Sequence, residues 1–232
     1  MTDSITMADA PMARRRPALS PSRAADFKQC PLLYRFRAID RLPELPTRAQ
    51  IRGTLVHAVL ERLYDLPAQE RRPEAARALV GPEWARLCAE MPELADGLFT
   101  GPEDPELAEW LASAGPLIDT YFRLEDPRRL EPEARELLVE TELPSGLLLR
   151  GYVDRLDVAP AGQMRVVDYK TGAAPRPVAE TRALFQMKFY ALMLLYLRGV
   201  VPHQLRLLYL TDGESLTYEP EELELRRFER TL

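Results

Sequence analysis

The chain has 232 residues, which suits one domain with an insertion, and its 46% hydrophobic and 29% charged residues are the ordinary balance of a globular protein with a core. No apolar run approaches the ~20 residues that span a bilayer, no apolar leader opens the chain, and two cysteines make no disulfide framework, so the cytoplasm is the expected compartment. The net charge of −5 argues on its face against a nucleic-acid binder, yet residues 11–41 hold eight Arg or Lys against two Asp, and residues 90–142 hold fifteen Asp or Glu against four Arg.

Residues 1–18 read as a disordered tail, small and polar around Arg14–Arg16. Order is expected from Leu19, with Ser20 as N-cap and Pro21 at the first position of a helix that runs to about Cys30. Pro31 interrupts it, and a second piece over Leu32–Ala38 follows, with Phe27, Leu33, Tyr34 and Phe36 as apolar anchors. Arg23, Lys28, Arg35 and Arg37 lie within this patterned segment and are candidate phosphate contacts. A linker at 43–50 leads to a helix over Arg52–Leu66, whose stripe of Val56, Val59, Leu60 and Leu63 faces a core. His57 sits beside that stripe, and Gly53 one turn earlier suggests close approach of another backbone or a phosphate. Residues 67–130 read as an acidic helical insertion broken by eight prolines, with Trp84, Trp110, Ile118 and Tyr121 in its core.

Strands are expected at Arg135–Leu143, 147–158 and 164–170, forming an antiparallel meander. Glu140 and Glu142 share one face of the first, with an exposed sheet edge as their expected home. A long helix over Val178–Arg198 carries Gln186 and Tyr190 one turn apart on one face. The strand at 204–210 should then pair parallel to an earlier one. A short strand, Ser215–Tyr218, follows, and the charged helix that starts at 220 reads as cut off by the chain end. The fold class is therefore α/β, a mixed central sheet flanked by helices.

The chemistry concentrates in GYVDRLD (Gly151–Asp157) and VDYKTG (Val167–Gly172). Alternation along a strand puts Asp168 and Lys170 on one face and Tyr169 on the other. Asp154 on the neighbouring strand could join them, and converging carboxylates repel unless a hard cation lies between them. The chain has three lysines against 28 arginines, so a lysine at 170 suggests that an ammonium in particular is wanted there. Oxygen ligands with one imidazole suit Mg²⁺ or Mn²⁺, and such a site supports metal-assisted hydrolysis of a phosphodiester.

Gly53–His57 (GxxxH), the two strand motifs, Gln186–Tyr190 (QxxxY) and the opening SPSRAADFKQCP (Ser20–Pro31) stand in an order that resembles the RecB-like branch of the PD-(D/E)XK nuclease superfamily, which includes bacterial recombination nucleases and CRISPR-adaptation nucleases. The resemblance implies a restriction-endonuclease-like core over roughly residues 19–210. It implies a metal held by His57, Asp154, Asp168 and the Tyr169 carbonyl, a catalytic Lys170, and Gln186 and Tyr190 assisting the site or contacting DNA. It further implies DNA as substrate, an exonuclease role in repair or recombination, and a helicase partner. Many members of that branch hold a [4Fe–4S] cluster through a Cys at the position of Cys30 and three more near the C-terminus. This chain has no cysteine after Cys88, so such a cluster requires a further C-terminal segment. A non-catalytic DNA-binding or scaffold domain with the same fold is the alternative, and RNA is an alternative substrate.

Overall fold

The computed structural model describes residues 17–92, 98–101, 103–174 and 180–232. Arg14–Arg16 and residues 178–179 of the expected long helix lie outside these. The described elements form three layers: a five-stranded sheet, one helical layer built around the helix Glu180–Arg198, and a second built from the helices between Arg48 and Leu124.

The strands β1 (Ala134–Glu142), β2 (Leu148–Val158), β3 (Met164–Lys170), β4 (Gln204–Tyr209) and β5 (Glu214–Tyr218) lie in that order across the sheet. Each neighbouring pair is antiparallel except β3 and β4, which run parallel. A parallel pair needs a crossover, and α8 (Glu180–Arg198) supplies it. One core lies between the sheet and α8, where Val139, Leu149, Val153, Phe189 and Leu192 are fully buried. The other lies under the opposite sheet face, where Leu55, Val59, Ile118, Tyr121, Val167 and Tyr169 pack together. Among the described residues, no helix is long and apolar enough to cross a membrane.

Helix α1 (Pro21–Gln29) starts as its sequence dictates, with Ser20 Oγ accepting the Arg23 N–H. It is followed by α2 (Pro31–Tyr34) and a π-helical turn over Arg35–Ile39. Phe27 and Phe36, expected as anchors, are exposed, whereas Leu33 and Tyr34 are half-buried; Phe27 meets the Tyr34 ring edge-on at 5.5 Å instead of a core. Helix α3 (Arg48–Leu63) begins four residues before the expected start. The cause is a capping box between Thr47 and Gln50, which draws the end of the expected linker into the helix. The insertion folds as α4 (Pro73–Ala78), α5 (Val80–Glu90), α6 (Pro105–Ala112) and α7 (Gly115–Leu124). The last helix, α9 (Glu222–Glu229), buries Leu225 and Phe228 and closes at Glu229 rather than running off the chain end.

Two features of the sheet create the site. Pairing between β2 and β3 covers only Arg155–Val158 against Met164–Val167. Beyond it β3 continues beside β4, while β2 takes Leu19 as its new neighbour, with Leu19 N–H to Leu148 O at 2.8 Å and Arg150 N–H to Leu19 O at 2.9 Å. The strands thus part just where Asp154 and Asp168 occur. The second feature lies between β1 and β2, whose ladder omits the facing pair Glu136–Asp154. Glu136 has φ 44°, a conformation that costs a non-glycine residue roughly 1–3 kcal/mol. Alternation slips by one residue there: Val153 and Leu156, three apart, face the same core.

Candidate metal centre

Asp154 stands at the opening between β2 and β3. Its Oδ2 accepts the Tyr169 N–H at 2.7 Å, so a side chain takes the place of the ladder carbonyl that the parting strands remove. Helix α3 lays His57 across the same point. Its Nε2 donates to the Tyr169 carbonyl at 3.0 Å, which leaves the Nδ1 lone pair 3.5 Å from Asp154 Oδ2 and 3.9 Å from Glu136 Oε1. Gly53 lets α3 come this close, since a Cβ there would sit 2.9 Å from Thr171 Oγ1. The neighbour that the glycine admits is therefore a side-chain hydroxyl.

His57, Glu136 and Asp154 offer ligand atoms that all lie within 4.8 Å of one another. Burial pushes the His57 pKa down, and burial with the nearby Asp168 charge pushes Asp154 well up. The Glu136 carboxyl rises to about 7, through burial and then the Asp154 charge. A neutral imidazole lone pair and two carboxyls that resist ionising side by side thus converge, and a cation would relieve that repulsion. This is the donor set that a divalent cation fits: one nitrogen and hard oxygens, already partly desolvated.

Asp168 is buried beside this trio. Its Oδ1 accepts from Gln186 Nε2 at 3.0 Å, and its Oδ2 lies 2.6 Å from Lys170 Nζ. Burial works against the Lys170 ammonium, but Asp168 and Asp154 outweigh it and hold the pKa above its ordinary value. Gln186 Nε2 also reaches Tyr190 Oη at 3.5 Å. The Tyr190 ring packs against β2 at Gly151, where a Cβ would stand 2.9 Å from its edge.

A cleft of about 760 Å³ opens over the site, with Asp154, Asp168, Lys170 and His57 on its floor. Its rim carries the N-cap Ser20 with Ser22 and Arg23 from α1, Arg150 and Tyr152 from β2, and Arg182 from α8. Of the candidate phosphate contacts, Arg23 lines this cleft. Lys28 stacks over the Phe185 ring at 4.6 Å. Arg35 pairs with Asp40, and Arg37 pairs with Glu44 and Asp26, both outside the cleft lining. Glu140 pairs with Arg150 at 2.6 Å on the sheet edge. Cys30 is exposed at the junction of α1 and α2, and Cys88 packs in the helical layer. These two thiols do not fit a [4Fe–4S] cluster, which takes four.

Glu136, Arg150 and Arg182 are additions that strand alternation alone did not single out. A signal for Glu136 was present. The hairpin turn is centred on Ser145, and counting outward from it sets Glu136 opposite Asp154.

A mixed five-stranded sheet flanked by helices is consistent with the restriction-endonuclease-like class of α/β folds. The chain belongs to the PD-(D/E)XK nuclease superfamily, whose profile matches residues 18–231. It is 28% identical over 199 residues to the gene 69 protein of Mycobacterium phage D29, covering 79% of this chain and 71% of that protein. It is 27% identical over 215 residues to the gene 69 protein of Mycobacterium phage L5, covering 76% and 70%. Among solved structures, the crystal structure of SSO0001 overlaps 78% of this chain and 84% of that one at 19% identity, with a TM-score of 0.34, too low to bear on the argument.

Proposed function

We propose that this protein is a divalent-metal-dependent deoxyribonuclease of the RecB-like branch, a cytoplasmic exonuclease that processes DNA in repair or recombination beside a helicase. The observation that carries the reading is the meeting of His57, Asp154, Asp168 and Lys170 at the point where β2 and β3 part. His57, Asp154 and Asp168, with Glu136 as an additional oxygen donor, would hold Mg²⁺ or Mn²⁺. In that place the Tyr169 carbonyl orients His57 and stands in reserve as a ligand. A cation held there would supply a water of lowered pKa and offset charge on the phosphate.

The chain's own residues do the rest. Asp168 aims the Lys170 ammonium at the cleft floor, where a charged donor meets a non-bridging phosphate oxygen and stabilises the charge that develops on it. Gln186 fixes Asp168 from the other side. Tyr190, kept protonated by burial and the Asp168 charge, is a neutral donor beside the phosphate path. Arg23 and Arg182 on the rim meet the flanking backbone phosphates.

Linear single- and double-stranded DNA, incubated with Mg²⁺ or Mn²⁺, tests this. Wild-type protein should degrade DNA, and Lys170→Ala should lose about 10²–10³ in rate, the usual effect of removing one such electrostatic donor. Equal degradation by both proteins would remove Lys170 from the mechanism. A parallel RNA strand of the same sequence separates the nucleic-acid classes through its 2′-hydroxyls.

A further inference from the structure

Arg155 is one residue past Asp154 and points the opposite way, into the core beneath the site. It is 1% exposed. Its Nε donates to Asp157 at 3.0 Å, and one terminal nitrogen donates to Glu125 at 2.8 Å. The other reaches three phenols: Tyr64 at 2.9 Å, Tyr169 at 2.9 Å and Tyr121 at 3.3 Å. Those partners belong to β2, β3, the C-terminal caps of α3 and α7, and α7 itself. Full use of a rigid fork in a dry core is costly unless every bond is made, and here each nitrogen has a carboxylate or hydroxyl partner.

The bond to Tyr169 connects this hub to the metal centre. Tyr169 gives its N–H to Asp154 and its carbonyl to His57, and its hydroxyl is held by Arg155. Tyr64, also held, caps the helix that carries His57. We propose that Arg155 is a positioning residue for the metal centre: by gripping Tyr169 from below it fixes the backbone that aligns Asp154 with His57. This inference rests on the metal-centre reading above.

The test is Mn²⁺ affinity, read by electron paramagnetic resonance on folded protein without substrate. Arg155→Lys keeps the charge but loses the fork, and should weaken Mn²⁺ binding by about 10-fold or more, as loss of an outer support typically does. Tyr169→Phe keeps the carbonyl and N–H and should show a similar loss. Tyr121→Phe removes another bond of the same guanidinium and should leave Mn²⁺ affinity within about twofold. Since Tyr169→Phe and Tyr121→Phe each delete one hydroxyl, they decide the matter even if Arg155→Lys fails to fold. Equal affinity in Tyr169→Phe, Tyr121→Phe and wild type would make Arg155 a scaffold residue only, and overturn the proposal. Wild-type protein that binds no Mn²⁺ would overturn the metal-centre reading itself, a separate result.

Discussion

Glu136 combines a left-handed backbone with a carboxyl whose pKa is raised to about 7. Its folded value lies above the ordinary unfolded value of about 4.3. The folded metal-free protein therefore holds this proton more tightly than the unfolded chain, and stability falls as pH rises through that window. Glu136→Gln should melt with wild type near pH 4 in EDTA, then melt progressively higher than wild type up to pH 7, with a constant difference above. Melting curves in EDTA at several pH values check this, and a gap that narrows as pH rises contradicts it. With Mn²⁺ the ranking should reverse, because wild type gains a ligand. The chemistry at Asp154, Asp168 and Lys170 was legible from strand alternation and charge type. Glu136 was legible only as the cross-strand partner of Asp154 by hairpin register, not as a residue facing the site, because alternation slips at the 136–154 pair through a positive φ that no residue type announces in a Glu.

At the scale of elements, the capping residues and periodicity were legible wherever the local signal was strong. Ser20–Pro21 starts α1, and the stripe of α3 is buried as its spacing dictates. The parallel pairing of β4 with β3 follows from the crossover helix between them. What escaped was Thr47–Gln50, a capping box inside a Pro-rich stretch, and the exposure of Phe27 and Phe36, because an aromatic residue type in a short helix does not say which face meets the core. Two glycines have packing reasons that only assembly reveals. Gly151 makes room for Tyr190, so Gly151→Ala would force ring and strand apart. Overpacking of this kind costs about 1–3 kcal/mol. Urea unfolding should show that loss, and a companion Tyr190→Ala change should relieve the clash, making the two substitutions less than additive. Additive losses would mean that the ring and the glycine do not oppose each other.

For the molecule as a whole, the uneven charge along the chain was legible but its geometry was not. The basic segment contributes Arg23 to the cleft, whereas Arg35 and Arg37 are matched by Asp40, Glu44 and Asp26 nearby. Each phosphate contact releases about one counterion, so its loss reduces the salt dependence of DNA binding by about one unit of log slope. Arg23→Ala should lower that slope by about 1 and Arg35→Ala should leave it unchanged, as measured by fluorescence anisotropy over a salt series in EDTA. Equal slopes for Arg23→Ala and wild type would place the phosphates elsewhere.

One ion is expected to meet side chains from α3, β2 and β3 in the gap between the parting strands. Anomalous diffraction from crystals soaked in Mn²⁺ measures that directly. The predicted result is a single strong peak about 2.0–2.6 Å from His57 Nδ1 and an Asp154 oxygen, with Asp168 or Glu136 completing the oxygen set. A peak elsewhere on the surface, or none in this gap, would contradict it.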